Sequence, residues 1–214
     1  MAVLDACTGG GAPDPRRTIG AAPPPASSIA PSSSTTLSTV APGVAVDQLI
    51  LRTASSIEHY AAGVYTRLAG TGLVTTTGIS DAMRFFADHH SAHGAMFEGA
   101  MARSGGTPQG EVNAALSHPV EGQLAALRTE ADAVALAYRV EAVAAATYAA
   151  YAAQVTDPAL VPLVAGIGAT EARHLAVLGT FLAGLLPPPT TATPPYPAAG
   201  FLDVAAALAP GVGV

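Results

Sequence analysis

The 214-residue chain lacks lysine and tryptophan and contains a single cysteine, Cys7. One thiol excludes an intrachain disulfide framework, a zinc ribbon and a Cys-x-x-Cys redox motif. All nine basic residues are arginines that do not cluster, and the net charge is −6, so we expect no nucleic-acid partner. Charged residues make up 11% of the chain and hydrophobic residues 50%, so a charge within an apolar segment calls for a specific explanation.

Long apolar runs are also absent. No uninterrupted apolar stretch reaches the roughly 18 residues that a membrane-spanning helix needs. The longest candidates, "AVAAATYAAYAA" and "LAVLGTFLAGLLP", are too short and are more typical of helices buried in a bundle. We therefore expect no membrane span.

Both ends of the chain have the composition of disordered tails. Residues 1–46 are rich in Pro, Ser, Thr, Ala and Gly without hydrophobic periodicity, and residues 187–214 are rich in Pro and Ala. Leu4-Asp5-Ala6-Cys7 resembles the lipobox at which bacterial lipoproteins are cleaved and lipidated, although no charged and apolar segment precedes it. Two interpretations stay open: an exported or cell-envelope protein with a lipid anchor at Cys7, or a free cysteine in the tail of a cytoplasmic protein.

Hydrophobic periodicity between the tails predicts an all-α domain over residues 47–186. The predicted helices span about 47–70, 80–103, 121–154 and 157–185. Short links join the first to the second and the third to the fourth, whereas the connection over 105–120 is long and is expected to be weakly structured. This pattern predicts a four-helix bundle of two antiparallel hairpins joined by one long crossover.

Local signals set the expected helix starts. Asp47 is predicted to cap the first helix, Ser80 or Asp81 the second, and Asp157 the fourth. Pro162 is expected to lie inside the fourth helix and to bend its first turns.

Each predicted hairpin carries the same kind of polar residues on an apolar helix face. Glu58 and Glu141 lie on the first and third helices, each seven residues before a tyrosine. The second helix carries His90-x-x-His93, and the fourth carries Glu171-x-x-His174, so both pairs have i, i+3 spacing. The chain therefore has the pattern of a duplicated helical hairpin.

Helix geometry places these polar groups at nearly the same level of the bundle, because each lies a similar number of residues from its turn. Carboxylates and imidazoles facing a core are costly unless a partner compensates them. Carboxylate oxygen and imidazole nitrogen suit iron, manganese or zinc. The predicted metal ligands are Glu58, His90, His93, Glu141, Glu171 and His174.

Four segments carry a resemblance to the ferritin-like superfamily: "SIEHYAAGVYTRL", "FFADHHSAHGAMF", "YRVEAVAAATYAAY" and "DPALVPLVAGIGATEARHLAVL". Within it the chain most resembles bacterial ferritin-like domain proteins, many of them exported, and the likeness covers about 47–186. The resemblance implies one Glu from the first and third helices and Glu-x-x-His from the second and fourth, with iron as the favoured metal. Five positions match this pattern: Glu58, His93, Glu141, Glu171 and His174.

His90 stands where the family has a glutamate that commonly bridges two metals. An imidazole that binds one metal through one nitrogen does not replace that bridge, and the ligand set then carries −3 instead of −4. A dinuclear site bridged by Glu171, a single metal and a site without metal all remain open. Tyr65 and Tyr148 are expected to hydrogen-bond the carboxylates, and His89 to be a substitute ligand or a hydrogen-bond partner of a ligand.

Three functions are compatible with this pattern. The first is a metal-binding protein, which as an enzyme would be a di-iron-type oxidoreductase. The second is a metal-free structural bundle of the cell envelope, in which the buried polar groups form a hydrogen-bond network. The third is a module that binds an apolar ligand or a partner helix. The sequence predicts no particular oligomeric state.

Overall fold

The computed structural model describes residues 41–185, 207–212 and 214 of the chain. Within these ranges it contains helices and no strand, so the predicted all-α class is confirmed. The five helices are α1 (Pro42–Gly70), α2 (Thr77–Arg103), α3 (Ala114–Ala126), α4 (Glu130–Ala152) and α5 (Val161–Leu185).

Two antiparallel hairpins form the bundle. In the first, Gln48 near the start of α1 donates a hydrogen bond to the carbonyl of Ser104, just past the end of α2 (2.8 Å). Nearer the turn, the rings of Tyr65 and Phe86 make an edge contact. α4 packs along α5 in the second hairpin, and α3 lies in the crossover, where it contacts α1 and α4. The predicted bundle with one long crossover is therefore confirmed.

Small residues let the second hairpin pack closely. A Cβ atom at Gly168 of α5 would lie 3.0 Å from the Cβ atom of Tyr148 of α4, which is tighter than ordinary van der Waals contact. The alanines of α4 also allow close packing, because this helix is buried on most of its circumference. Large side chains such as Tyr148 and Tyr151 then fill the interior without exposure to solvent.

The predicted start of α1 is wrong, because the helix begins at Pro42, before Asp47. Proline suits the first helical turn, where its missing N–H leaves no hydrogen bond unmade. Asp47 instead lies inside the helix and is 3% exposed. It contacts the connection between α4 and α5, which is distant in the sequence. Its carboxylate accepts hydrogen bonds from the backbone and hydroxyl of Thr156 and from the backbone of Asp157 (2.7–2.9 Å).

The start of α2 also differs from the prediction. The helix begins at Thr77, so Ser80 and Asp81 lie in its first turns and contact Arg84 instead of capping the helix. The carboxylate of Glu130 from α4 accepts hydrogen bonds from the backbone N–H groups of Thr75 and Thr76, both at 2.8 Å. A residue on another helix thus replaces the expected local cap.

The single helix predicted over 121–154 is two helices, and the connection expected to be weakly structured contains most of α3. Asn113 caps α3 by accepting a hydrogen bond from the backbone of Leu116. Thr129 and Asp132 form a reciprocal capping box that starts α4. This box supplies the local reason for the break between α3 and α4.

α5 begins at Val161, four residues later than predicted. Asp157 organises the preceding turn, because its carboxylate accepts a hydrogen bond from the backbone of Ala159 (2.9 Å). Pro162 is consequently the second residue of the helix, where it breaks no internal hydrogen bond, and the predicted bend of the first turns has no cause.

Part of the predicted C-terminal tail is described and contacts the bundle. The backbone of Leu208 donates to Thr147 (3.0 Å), the backbone of Gly211 donates to Thr53 (2.7 Å), and Asn113 donates to the carbonyl of Val212 (2.8 Å). Most of the predicted N-terminal tail, the Cys7 lipobox and residues 186–206 lie outside the described residues. Within the described part of the chain, none of the helices is both long and apolar enough to cross a membrane.

The contacts of Asp47 predict a strong effect of its removal. We expect Asp47→Ala to lower the free energy of unfolding by about 2–4 kcal/mol, because three donors in the connection between α4 and α5 lose a charged acceptor. Urea denaturation followed by circular dichroism measures this loss. Asp81→Ala is the matched control, since among the described residues Asp81 makes an exposed pair with Arg84 alone, and its loss should change stability by less than about 0.5 kcal/mol. Equal effects of the two substitutions would contradict the assignment.

Candidate metal centre

Four helices bring the six predicted metal ligands together in the middle of the bundle. One glutamate comes from each of α1 and α4, an i, i+3 pair of histidines from α2, and the Glu-x-x-His pair from α5. All six residues are buried, with at most 9% exposure. A set of titratable groups buried this deeply requires compensation from within the protein or from a bound ion.

The six side chains divide into two overlapping sets in which the potential ligand atoms lie within 4.8 Å of one another. The first ligand group consists of Glu58, His90, His93 and Glu171. The second ligand group consists of His90, Glu141, Glu171 and His174. His90 and Glu171 belong to both groups, so each group combines two shared side chains with two of its own.

His90 lies between the glutamates of the two hairpins. Its Nδ1 is 2.7 Å from Oε2 of Glu58, and its Nε2 is 3.0 Å from Oε1 of Glu141. The ring is fully buried and stacks on Tyr65, with centroids 5.2 Å apart. Both nitrogens of one imidazole are therefore directed at carboxylates of different helices.

Glu171 has a similar position between the two remaining histidines. Its Oε1 is 2.7 Å from Nδ1 of His93 and forms a hydrogen bond with it. Its Oε2 is 2.8 Å from Nδ1 of His174, but these two atoms are not aligned for a hydrogen bond. Each carboxylate oxygen of Glu171 thus faces a different imidazole.

Several buried atoms of the centre have no hydrogen-bond partner within the described part of the chain. They include one oxygen of each glutamate and one imidazole nitrogen, namely Glu58 Oε1, Glu141 Oε2, Glu171 Oε2 and His174 Nδ1. Unpartnered polar atoms at this depth are rare because each costs about 1–3 kcal/mol. Lone pairs of oxygen and nitrogen that converge in this way fit a divalent cation.

Contacts within the centre shift the pKa values of His90, His93 and Glu141 toward their ionised forms. Burial would lower the pKa of His90, but the charges of Glu141 and Glu58 outweigh it and raise the pKa well above the usual range. Burial likewise opposes the charge on His93, yet its hydrogen bond to Glu171 and the nearby carboxylate of Glu58 (3.8 Å) raise its pKa to about 9. For Glu141, His90 and His174 overcome the opposing effect of burial and lower the pKa to about 2.

Two tyrosines border the carboxylates. The hydroxyl of Tyr65 donates a short hydrogen bond to Glu141 across the bundle. Tyr148 donates to the backbone carbonyl of Ala54 (3.3 Å), and burial together with the charge of Glu58 raises its pKa well above the usual range. Both phenols therefore remain protonated; Tyr65 donates to a carboxylate, whereas the hydrogen bond of Tyr148 goes to a backbone carbonyl and not to the carboxylate that the sequence suggested.

His89 lies between the centre and the surface. Its Nδ1 is 2.9 Å from Nε2 of His174, and its other side contacts the ring of Phe85, which is 57% exposed. Burial and the neighbouring His174 lower the pKa of His89, so the ring is neutral near pH 7. His89 is thus a hydrogen-bond partner of a predicted ligand at the half-buried edge of the centre.

Sequence reasoning missed the role of Phe86. Its ring stacks on His174 with centroids 3.9 Å apart and covers one side of the centre. The signal was present, because Phe86 lies four residues before His90 and so shares its helix face. It was missed because a phenylalanine on an apolar face carries no chemical signature of its own.

The comparison with known families agrees with this geometry. A family model described as a ferritin-like domain matches residues 46–184, which is more than half of the chain. Among curated proteins, none matches the chain.

The raised pKa of His93 predicts how stability depends on pH without metal. A histidine whose pKa rises on folding from 6.5 to about 9 stabilises the fold fully below pH 6.5, and this contribution disappears as the pH rises through 9. We therefore expect chelator-treated protein to lose about 1–3 kcal/mol of unfolding free energy between pH 6.5 and pH 9.5. Urea denaturation across this range measures the loss.

Two variants control this measurement. His93→Gln should reduce the pH dependence because it removes one of the rings whose pKa rises on folding, whereas His118→Gln on the exposed face of α3 should preserve it. A wild-type stability that stays constant or increases over this range would contradict the electrostatic assignment.

Proposed function

Because this chain belongs to the ferritin-like domain family, we propose that it is a metal-binding protein that holds divalent cations in its bundle core. One observation carries the proposal: three fully buried glutamates face three imidazoles, and each glutamate retains an oxygen without a hydrogen-bond donor among the described residues. The proposed ligands are Glu58, His90, His93, Glu141, Glu171 and His174.

The chemistry of the ligand set supports iron as the natural metal, with manganese or zinc as alternatives. Carboxylates are hard oxygen donors and imidazoles are intermediate nitrogen donors, a mixture typical of these metals. Bound iron would supply one-electron chemistry with dioxygen or peroxide. The chain itself excludes water from the centre, orients Glu141 through Tyr65, and orients His174 through His89.

A specific observation favours a metal-free structural bundle as the second candidate. The histidines and glutamates pair with one another without a cation, most directly where His90 contacts both Glu58 and Glu141. Such a network compensates part of the buried charge. It leaves the unpartnered oxygens unexplained, which is why we prefer the metal-binding function.

Metal analysis separates the two candidates. We expect protein purified without chelators, or chelator-treated protein exposed to Fe(II) without oxygen, to hold one to two ions per chain. Metal should raise the midpoint of thermal unfolding, because a ligand that binds only the folded state stabilises it. Glu171→Gln and His174→Ala should each weaken binding by at least about tenfold, as measured by calorimetric titration.

The control for these ligand variants is Glu98→Gln. Glu98 lies on α2, where it pairs with His59 at a partly exposed position outside the centre. This variant should bind metal as the wild type does. Wild-type protein that neither retains metal nor gains thermal stability with Fe(II), Mn(II) or Zn(II) would refute the proposed function and favour the structural bundle.

The hydrogen bond from Tyr65 to Glu141 supports a further prediction. Tyr65→Phe removes the donor without changing the shape of the core, so we expect about tenfold weaker metal binding with little loss of stability. Tyr60→Phe is the matched control, since Tyr60 lies on the same helix and hydrogen-bonds Ser117 and Glu121 away from the centre. Unchanged affinity in Tyr65→Phe would show that this phenol does not orient the ligand.

A further inference from the structure

The His90 ring, which stands where the resemblance implies a glutamate, contacts carboxylates through both of its nitrogens. His90 is shared by the first and second ligand groups, and its two nitrogens are directed to opposite sides. Nδ1 faces Glu58 (2.7 Å), and Nε2 faces Glu141 (3.0 Å). A histidine that binds one metal commonly directs its other nitrogen to a carboxylate, but here both carboxylates are themselves proposed ligands, and they belong to different ligand groups.

We propose that His90 bridges two divalent cations, with Nδ1 bound to the cation of the first ligand group and Nε2 bound to that of the second. This inference rests on the proposed metal-binding function and specifies its centre as dinuclear. The bridge replaces the glutamate expected at this position by an imidazolate. It also revises the sequence-based interpretation, in which His90 binds one metal through one nitrogen.

The position of the ring supports the bridge. His90 is fully buried, and Tyr65 covers one face at a centroid distance of 5.2 Å. The carboxylates that contact the two nitrogens come from different hairpins, so the ring cannot turn toward one of them without losing the other. Each nitrogen is therefore already placed in the ligand group that it would serve.

The charge balance of a centre that holds two cations supports the bridge independently. The three glutamates carry −3, whereas two divalent cations carry +4. When both nitrogens of His90 bind metal, the ring has lost both N–H protons to solvent and carries −1. The complete centre is then neutral, which matters because uncompensated charge in a buried site costs several kcal/mol.

Glu171 completes the symmetry of the centre. It occupies the position in α5 that His90 occupies in α2, three residues before a histidine. Its Oε1 faces His93 (2.7 Å), and its Oε2 faces His174 (2.8 Å), so its two oxygens also divide between the ligand groups. Each cation would thus have two ligands of its own and two bridging residues.

The bridge predicts an unusual separation of the metals. Two metal–nitrogen bonds of about 2.0 Å on opposite sides of an imidazole place the ions about 6 Å apart. Metals in oxygen-bridged two-metal sites lie about 3.5–4 Å apart. An imidazolate also couples the spins of two paramagnetic ions, which gives the bridge a spectroscopic signature.

Copper(II) is a suitable probe because it binds imidazole and carboxylate strongly and is paramagnetic. We would titrate the chelator-treated full chain with Cu(II) and record electron paramagnetic resonance spectra. The expected result is two ions per chain, loss of the isolated Cu(II) signal as the second ion binds, and a half-field transition with zero-field splitting for about 6 Å. His90→Gln should strongly weaken the half-field transition, because Glu171 alone then remains to bridge the ions, and His118→Gln should retain it.

A second variant guards against a folding defect in His90→Gln. His90→Glu restores the carboxylate that the resemblance implies, and it should bring the two ions to about 3.5–4 Å, as measured by X-ray absorption. Circular dichroism and thermal unfolding establish that both variants are folded before their spectra are compared.

The outcomes distinguish the bridge from the proposed function. Binding of a single ion, two uncoupled ions, or coupling of unchanged strength in a folded His90→Gln would overturn the bridge and leave metal binding intact. A wild-type separation of about 3.5–4 Å, unchanged in His90→Glu, would also overturn it. Absence of any ion from the wild-type centre would refute the proposed function itself.

Discussion

Compensation of buried charge is the constraint on which the centre of this bundle depends. Three carboxylates and three imidazoles lie among aliphatic and aromatic side chains, and none of the six is more than 9% exposed. In water these groups would be solvated, whereas here each must find its counter-charge on another helix. The four helices that supply them are consequently tied together at one level, and the geometry suited to mutual neutralisation is also suited to holding cations.

Two carboxylates outside the centre hold the ends of helices in place. Asp47 of α1 accepts hydrogen bonds from the connection between α4 and α5, and Glu130 of α4 accepts them from the residues before α2. Both carboxylates satisfy backbone N–H groups that have no partner within their own segment. In a chain with so few charged residues, most buried charge therefore either forms the centre or joins one hairpin to the other.

The duplicated hairpin pattern places position 90 between the two halves of the centre. Two similar hairpins place corresponding side chains around a shared space, so that a residue from α2 and one from α5 each face both halves. A glutamate meets this requirement with two oxygens, and a histidine meets it with two nitrogens. In the proposed centre the replacement preserves the connection between halves but lengthens it, and this bridge would distinguish the chain from the pattern that its family implies.

The sequence by itself determined the helical class, the hairpin pairing and the six polar side chains of the centre, because periodicity and i, i+3 spacing are local properties of a helix. It misplaced the starts of α1 and α5, and it merged α3 with α4. Only the tertiary structure decided that Asp47 and Glu130 act on distant backbone, that Phe86 covers His174, and that His90 directs a nitrogen to each half. These features are contacts between side chains and backbone of segments that are distant in the sequence, and no local sequence pattern specifies such contacts.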